Sequence, residues 1–462
     1  MVKIMYKIDF SKPTKIHFIG IGGISMSGLA EILLKEGFSV SGSDSKESPL
    51  TQHLQSLGAT ITYPQAAENI ASDVQIVVYT AAIHPDNPEF AHAKELGIPM
   101  LTRAQLLGQI MDHYARSIAV AGTHGKTTTT SMISQVLLCG HEDPTISVGG
   151  ILKAIGSNIH VGDSDLFITE ACEYTNSYHS FFPKYSIILN IEAEHLDFFK
   201  DLADVRASFH KFAGNTKKDG ALIINGEIPD YEEITKDLSC QVITFGLNDH
   251  CDYYPTDITY NELGCAAFTP MHKGTPLPRV ALSVPGLHNV SNALSCIALC
   301  QDMELPWEQI AEGLRRFGGA DRRFQYKGKF QGATIIDDYA HHPTEIRASL
   351  TAAHNYPHKR IICVFQPHTY TRTKAFLADF ADALSLADVV VLADIFAARE
   401  QDIYGVSSKD ILALLQEKHV ESYYFPSFEE IESFLRKNCM NDDLLITMGA
   451  GNVVNIGEDL LK

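Results

Sequence analysis

No run in this 462-residue chain approaches the ~18 consecutive apolar residues of a membrane-spanning helix, and residues 1–10 lack the apolar core of a signal peptide. Those absences argue against an integral membrane or secreted protein, so a cytoplasmic setting is expected. Positive charge is also scarce: Lys and Arg number 37 against 56 acidic residues, a formal net charge of −19. So acidic a balance excludes nucleic acid and anionic membrane as expected partners, apart from local basic pockets. The nine cysteines are scattered. The closest pair, Cys296 and Cys300, shares one face of an apolar helical pattern with no second pair nearby, so the cysteines read as reduced core residues rather than metal ligands. Low-complexity segments and short-period repeats are missing. What is present is ordinary for a globular enzyme, 45% hydrophobic and 20% charged residues, and the length calls for about two or three domains.

The most informative stretch runs from Ile118 to Thr129. An apolar, β-forming run stops at Gly122; Thr123, His124, Gly125, Lys126, Thr127 and Thr128 follow, and an apolar helical pattern extends from Met132 to Leu138. That order is strand, phosphate loop, helix. Glycines let backbone N–H groups close around phosphate oxygens, and the helix start adds partial positive charge. Lys126 is suited to the outer phosphates and the Thr127 hydroxyl to Mg2+. The usual eight-residue loop has a glycine where this chain has Val120, so the loop is a shortened variant.

Upstream, the strand Lys15 to Ile19 leads into Gly20-Ile-Gly22-Gly23-Ile-Ser25-Met26-Ser27-Gly28, and a second strand ends at Asp44. In outline this is a dinucleotide-type βαβ unit with an acid placed for a ribose, but its third glycine falls at Ser25. A diphosphate other than NAD or FAD, such as a UDP-sugar, fits better. Another buried strand ends at Thr80 and His84, and Arg103 opens a further helix. Downstream of the phosphate loop, Asp165 to Glu170 and Ser186 to Asn190 are strands that end in polar groups, the second followed by Glu192, Glu194, His195 and Asp197. In an open parallel sheet the carboxyl edge is where ligands bind. Glu170 and His195 are the metal candidates, with phosphates supplying the remaining oxygens. Residues from about 219 to 285 look less regular. His288, Asn289 and Asn292 then start a long apolar helix, as caps or as partners of an adenine edge. Arg322 is a candidate phosphate clamp. A third set of α/β units presents Asp337, Asp338, His341 and His342, then His368, Tyr370 and Arg372, at strand ends; polar contacts to substrate or nucleotide suit them better than zinc.

Taken in order, these motifs resemble the Mur ligases of peptidoglycan synthesis, in their alanine-adding branch, over nearly the whole chain. The resemblance is carried by Gly20 to Gly28, Gly122 to Thr127, Asn190 to Asp197, His288 to Asn292, Arg322 to Phe324, Asp337 to Glu345 and Gln366 to Thr373. It implies an α/β protein of three domains: a Rossmann-like UDP-sugar-binding domain at 1–115, a central P-loop ATPase domain with a mostly parallel sheet at 116–324, and a Rossmann-like domain at 325–462. It implies ligation of L-alanine to the lactyl carboxylate of UDP-N-acetylmuramate, with ATP and Mg2+ (Mn2+ as a substitute), by a monomer or weak homodimer. Lys126, Glu170, His195 and Arg322 would then be catalytic, and Thr127, Glu170 and His195 metal ligands. Residues 122–128, His288, Asn289, Asn292, Arg322, Asp337 and Asp338 would bind ATP. Gly22, Gly23, Ser25, Met26, Ser27, Asp44, Thr80, His84, Arg103, His342, His368, Tyr370 and Arg372 would contact substrates. The segment Glu170-Ala-Cys-Glu-Tyr-Thr departs from the more acidic family version, and Lys211 stands in the region where other branches carry a carbamylated lysine. A peptide-recycling ligase, a nicotinamide oxidoreductase and a non-catalytic UDP-sugar-binding regulator are the alternatives; the last two leave the central loop and Glu170 without a role.

Overall fold

Apolar runs become strands buried on both faces, and the polar residues that end those runs collect at the sheet edges. The computed structural model describes residues 6–80, 82–195, 198–398 and 400–462. The architecture is α/β, with strands in three blocks that span residues 15–102, 116–285 and 325–448. By internal contacts the described chain divides into two compact units, one holding most of residues 1–243 and the other residues 127–139, 150–154 and 244–462. No described helix is long and apolar enough to cross a membrane.

The first unit opens with β1 (Lys15–Ile19), β2 (Ser39–Ser43), β3 (Thr60–Thr62), β4 (Ile76–Tyr79) and β5 (Met100–Thr102), all parallel in the order β3-β2-β1-β4-β5. Alternation sends Ile16 and Phe18 into one core layer and Ile19 into another, as a sheet covered on both faces requires. The helix Ile24–Lys35 starts within the glycine-rich loop itself. The same unit carries β6 (Arg116–Ala121), β7 (Thr145–Leu152, whose last three residues belong to the second unit), β8 (Ser157–His160), β9 (Leu166–Ala171), β10 (Tyr185–Ile188) and β11 (Ala221–Asn225). Here β6 lies between β9 and β10, parallel to both. The strand order reverses there, so the loop after β6 sits where an open α/β sheet binds ligands. The chain passes to the second unit within β12 (Gln241–Phe245).

In the second unit, β13 (Tyr253–Tyr260), β14 (Cys265–His272), β15 (Thr275–Pro276) and β16 (Val280–Pro285) are antiparallel, so the stretch expected to be irregular is largely ordered. The buried helix Leu287–Asp302 follows. The last sheet has β17 (Gln325–Phe330) antiparallel at its edge, then β18 (Ala333–Asp338), β22 (Asp443–Met448), β19 (Arg360–Phe365), β20 (Val389–Leu392) and β21 (Glu421–Tyr424), parallel in that order. The nine cysteines are free, and the Cys296 and Cys300 sulfurs lie 3.9 Å apart in the buried helix. Cys172 departs from the core expectation: it is exposed, because it follows the end of β9.

Candidate active site

Residues Ile118 to Ala121 of β6 are fully buried, and the chain leaves the strand at Gly122 with φ 148° and turns again at Gly125 with φ 83°, both in the region that favours glycine. A side chain at Gly122 would also meet the Leu189 Cβ at 3.0 Å. Val120 pairs with Glu170 and Ile187 inside the sheet, so the turn begins after it and no glycine is needed there. Residues after β10 staple the loop in place. The Asn190 side chain accepts from the His124 N–H at 2.7 Å and donates to the His124 carbonyl at 3.1 Å, while the Thr123 hydroxyl accepts from the Glu192 N–H at 2.9 Å.

The Lys126 ammonium donates to the Gly122 and Thr123 carbonyls and to both Glu173 oxygens, at 2.9 and 3.2 Å. Glu173 is 2% exposed, and its Oε1 lies 3.5 Å from His195 Nε2. Burial is the largest single influence and would lower the Lys126 pKa, but the Glu173 charge and hydrogen bond, together with Cys172 and Glu170, outweigh it and the pKa ends above the lysine value. Burial likewise opposes ionisation of Glu173, and Lys126 with His195 brings its pKa below the usual range. His195 has a left-handed backbone, φ 54°, and Tyr174 covers its ring at 4.6 Å. The turn after Glu173 is left-handed at Thr175 and Asn176, and the Ser208 hydroxyl anchors the Asn176 side chain.

Sequence reasoning paired Glu170 with His195, whereas the acid that the structure brings to both Lys126 and His195 is Glu173. Glu170 instead accepts the Gly149 N–H at 2.6 Å. The available signal was a second acid three residues past Glu170, just beyond the strand. Asp197 lies outside the described residues, Lys211 is exposed, and Thr127 and Thr128 follow Lys126 half-buried in the helix Lys126–Leu138.

At the first sheet, Asp44 Oδ2 accepts the Gly22 N–H at 2.8 Å, so the acid expected at a ribose also holds the glycine loop. Arg103 donates to the Ser25 hydroxyl at 3.1 Å, and Thr80 flanks Gly20. Met26 and Ser27 are buried, His84 is exposed, and the helix from Ile24 has Gly23 at its start with no side-chain cap. A helix start of that kind suits a diphosphate.

In the second unit His288 is exposed, and Asn289 and Asn292 are buried. Asn289 donates to the Pro285 carbonyl at 2.7 Å and accepts from Asn292 at 3.1 Å. Arg322, left-handed at φ 60°, donates to Asp337 at 3.0 Å and to the Gly449 carbonyl at 2.8 Å, and lies over the Tyr339 ring. His368 contacts Arg372 at 3.1 Å and stacks on Phe396; Tyr370 is half-buried beside them in sequence. His342 is buried against Phe376 at the start of its helix. Asp338 accepts from the Ser349 hydroxyl at 2.7 Å and the Ala340 N–H at 2.9 Å, yet burial pushes its pKa up to about 6.

An acid whose pKa rises on folding contributes stability below its unfolded pKa and loses it as pH rises through the folded one. Asp338→Asn, which cannot ionise, is therefore expected to gain on the parent between pH 4 and 7, by up to about 3 kcal/mol. Melting curves across that range check this; a difference that does not change with pH refutes it.

Comparison with known proteins accounts for this succession of sites. Residues 15–115 match the model for the Mur ligase family catalytic domain, 120–300 the Mur ligase middle domain, and 322–451 the Mur ligase glutamate ligase domain. The UDP-N-acetylmuramate–L-alanine ligase of Agathobacter rectalis is 69% identical over 99% of this chain and 100% of its own, and that of Lachnospira eligens 57% identical over 99% and 100%. The crystal structure of the UDP-N-acetylmuramate-alanine ligase from Thermotoga maritima superposes with a TM-score of 0.78 at 30% identity, covering 97% of this chain and 98% of the other. A murein peptide ligase from Psychrobacter arcticus shares the fold, with a TM-score of 0.67 at 23% identity and coverage of 97% and 98%. With all three domain models matched in sequence order and full-length relatives at such identity, the chain belongs to the Mur ligase family.

Proposed function

We propose that this protein joins L-alanine to the lactyl carboxylate of UDP-N-acetylmuramate, converting ATP to ADP and phosphate, in the synthesis of peptidoglycan precursors in the cytoplasm. The observation that carries the reading is the Lys126–Glu173–His195 group, centred on the buried Glu173 carboxylate, at the mouth of a glycine loop. A carboxylate does not react with an amine at neutral pH. Transfer of the γ-phosphoryl group to the lactyl oxygen gives an acyl phosphate; the alanine nitrogen attacks its carbon, and the C–O bond to phosphate breaks. The first step brings anions against one another, and Lys126 is the cation in place to offset them.

Glu173 and His195 offer an oxygen and a nitrogen 3.5 Å apart, a donor set that fits Mg2+ or Mn2+ once water and phosphate oxygens complete the shell. Thr127, next to Lys126 in the chain, is the candidate hydroxyl donor. A divalent ion bound there supplies neutralisation of phosphate charge. At the first sheet, the uncapped helix start after Gly23, with Arg103 and Ser25, is assigned to the UDP sugar. Asn289, Asn292, Arg322, Asp337 and Asp338 are assigned to ATP, and His342, His368, Tyr370 and Arg372 to the muramyl and alanine groups. The family resemblance supports these roles.

The test is phosphate release from ATP with UDP-N-acetylmuramate and, in turn, L-alanine, glycine, L-serine and a tripeptide. L-alanine is expected to give the highest kcat/KM. Faster release with the tripeptide would transfer the reading to a peptide-recycling ligase.

A further inference from the structure

Glu89 is completely buried in the first unit, yet it belongs to a short helix, Pro88–Glu95, whose sequence reads as a polar surface helix. A carboxylate out of water is costly unless donors surround it. Here they converge. Oε2 accepts from the Ser43 hydroxyl at 2.5 Å and lies 3.4 Å from His17 Nε2; Oε1 accepts from Asn69 at 2.6 Å and from the Ala66 N–H at 3.2 Å. His17 in turn meets the Ser41 hydroxyl at 3.0 Å. The carboxylate also sits in the first turn of its helix, where the backbone dipole favours negative charge.

What Glu89 holds is the end of β2, and that end holds the glycine loop. The Ser43 carbonyl accepts the Gly20 and Ile21 N–H groups at 2.9 and 3.0 Å, and the Asp44 side chain accepts the Gly22 N–H at 2.8 Å. Three consecutive loop amides therefore hang from two consecutive residues, and the side chain of the first is fixed by Glu89. A residue serving packing alone would not need an ionised group with four polar neighbours.

We infer that Glu89 is a positioning residue for the sugar nucleotide: out of reach of any ligand, it fixes Ser43 and so sets the geometry in which the loop Gly20 to Gly23 meets a diphosphate. The inference rests on the proposed assignment of that loop to the UDP sugar. If the role were only structural, removing Glu89 would lower stability and leave the KM values in their original ratio.

The experiment compares the parent with Glu89→Ala, Ser43→Ala and the double variant, by calorimetric titration with UDP-N-acetylmuramate and by steady-state kinetics for each substrate. Glu89→Ala is expected to weaken UDP-sugar binding at least about tenfold and Ser43→Ala about threefold, with the double variant close to Glu89→Ala, because coupled residues do not add. The KM for ATP and kcat at saturation should stay within about twofold of the parent. A Glu89→Ala protein that melts cooperatively and binds the UDP sugar as the parent does overturns the inference, as does an equal loss for ATP. Should Glu89→Ala fail to fold, unchanged binding by Ser43→Ala is the overturning result. A parent that binds no UDP sugar overturns the loop assignment instead, and the inference with it.

Discussion

Lys126→Ala is expected to lower alanine-dependent phosphate release by at least on the order of 100-fold, the cost of losing a preorganised group aimed at developing charge. The geometry explains why no neighbour substitutes. Lys126 is held by two loop carbonyls on one side and by Glu173 on the other, so its ammonium is fixed at the loop mouth before any nucleotide arrives. Substitution removes the cation and leaves Glu173, a buried carboxylate, with His195 Nε2 at 3.5 Å as its remaining side-chain neighbour in this group. Release of phosphate by the variant at a near-parental rate would sink the assignment. Stopped assays at saturating ATP separate loss of turnover from weaker nucleotide binding, since a uniform loss of binding raises KM and leaves kcat unchanged.

How much of this was legible in the sequence depended on range. The phosphate loop could be read because its determinants are local: an apolar strand, two glycines and a lysine within a few residues. So could the parallel sheets, whose strands are short apolar runs closed by polar residues. The hairpin β13–β14 was missed because Pro255 interrupts the strand pattern and Asp257, at φ 53°, sits where the register shifts between Thr256 and Thr259. Glu173 was missed for a different reason. Its approach to Lys126, 47 positions away, depends on the left-handed turn at Thr175 and Asn176; asparagine tolerates that conformation, but the β-branched Thr175 argues against it. Glu89 was invisible on the same grounds, since only the fold brings His17, Ser43 and Asn69 around it.

Glu173→Gln is expected to cost turnover on the order of 100-fold, comparable to loss of Lys126, whereas Glu170→Gln should cost about tenfold, the scale of one hydrogen bond. The difference follows from what each acid touches. Glu170 is held by the Gly149 N–H, while Glu173 faces both Lys126 and His195. Neutralising Glu173 also changes Lys126, because the Glu173 charge and hydrogen bond are the main influences that hold the lysine pKa up against burial. Without them burial dominates and the lysine pKa falls. The folded pKa of Lys126 is raised in the parent, so its contribution is present below the unfolded lysine pKa and lost only above it; that of Glu173 is lowered, so its contribution is present above the unfolded glutamate pKa and lost in acid. The parent pair is thus intact across neutral pH. In Glu173→Gln the residual rate should decline as pH rises from 7 to 9, a decline that the parent pair does not impose. Removing one partner of a buried ion pair costs about 3–5 kcal/mol, and the Gly122 and Thr123 carbonyls that still receive Lys126 put this case at the lower end. Rates from pH 6 to 9.5, with urea unfolding at pH 7, test both parts. If Glu170→Gln proves the more damaging variant, the acid that serves Lys126 and His195 in turnover is Glu170, and the arrangement around Glu173 is structural.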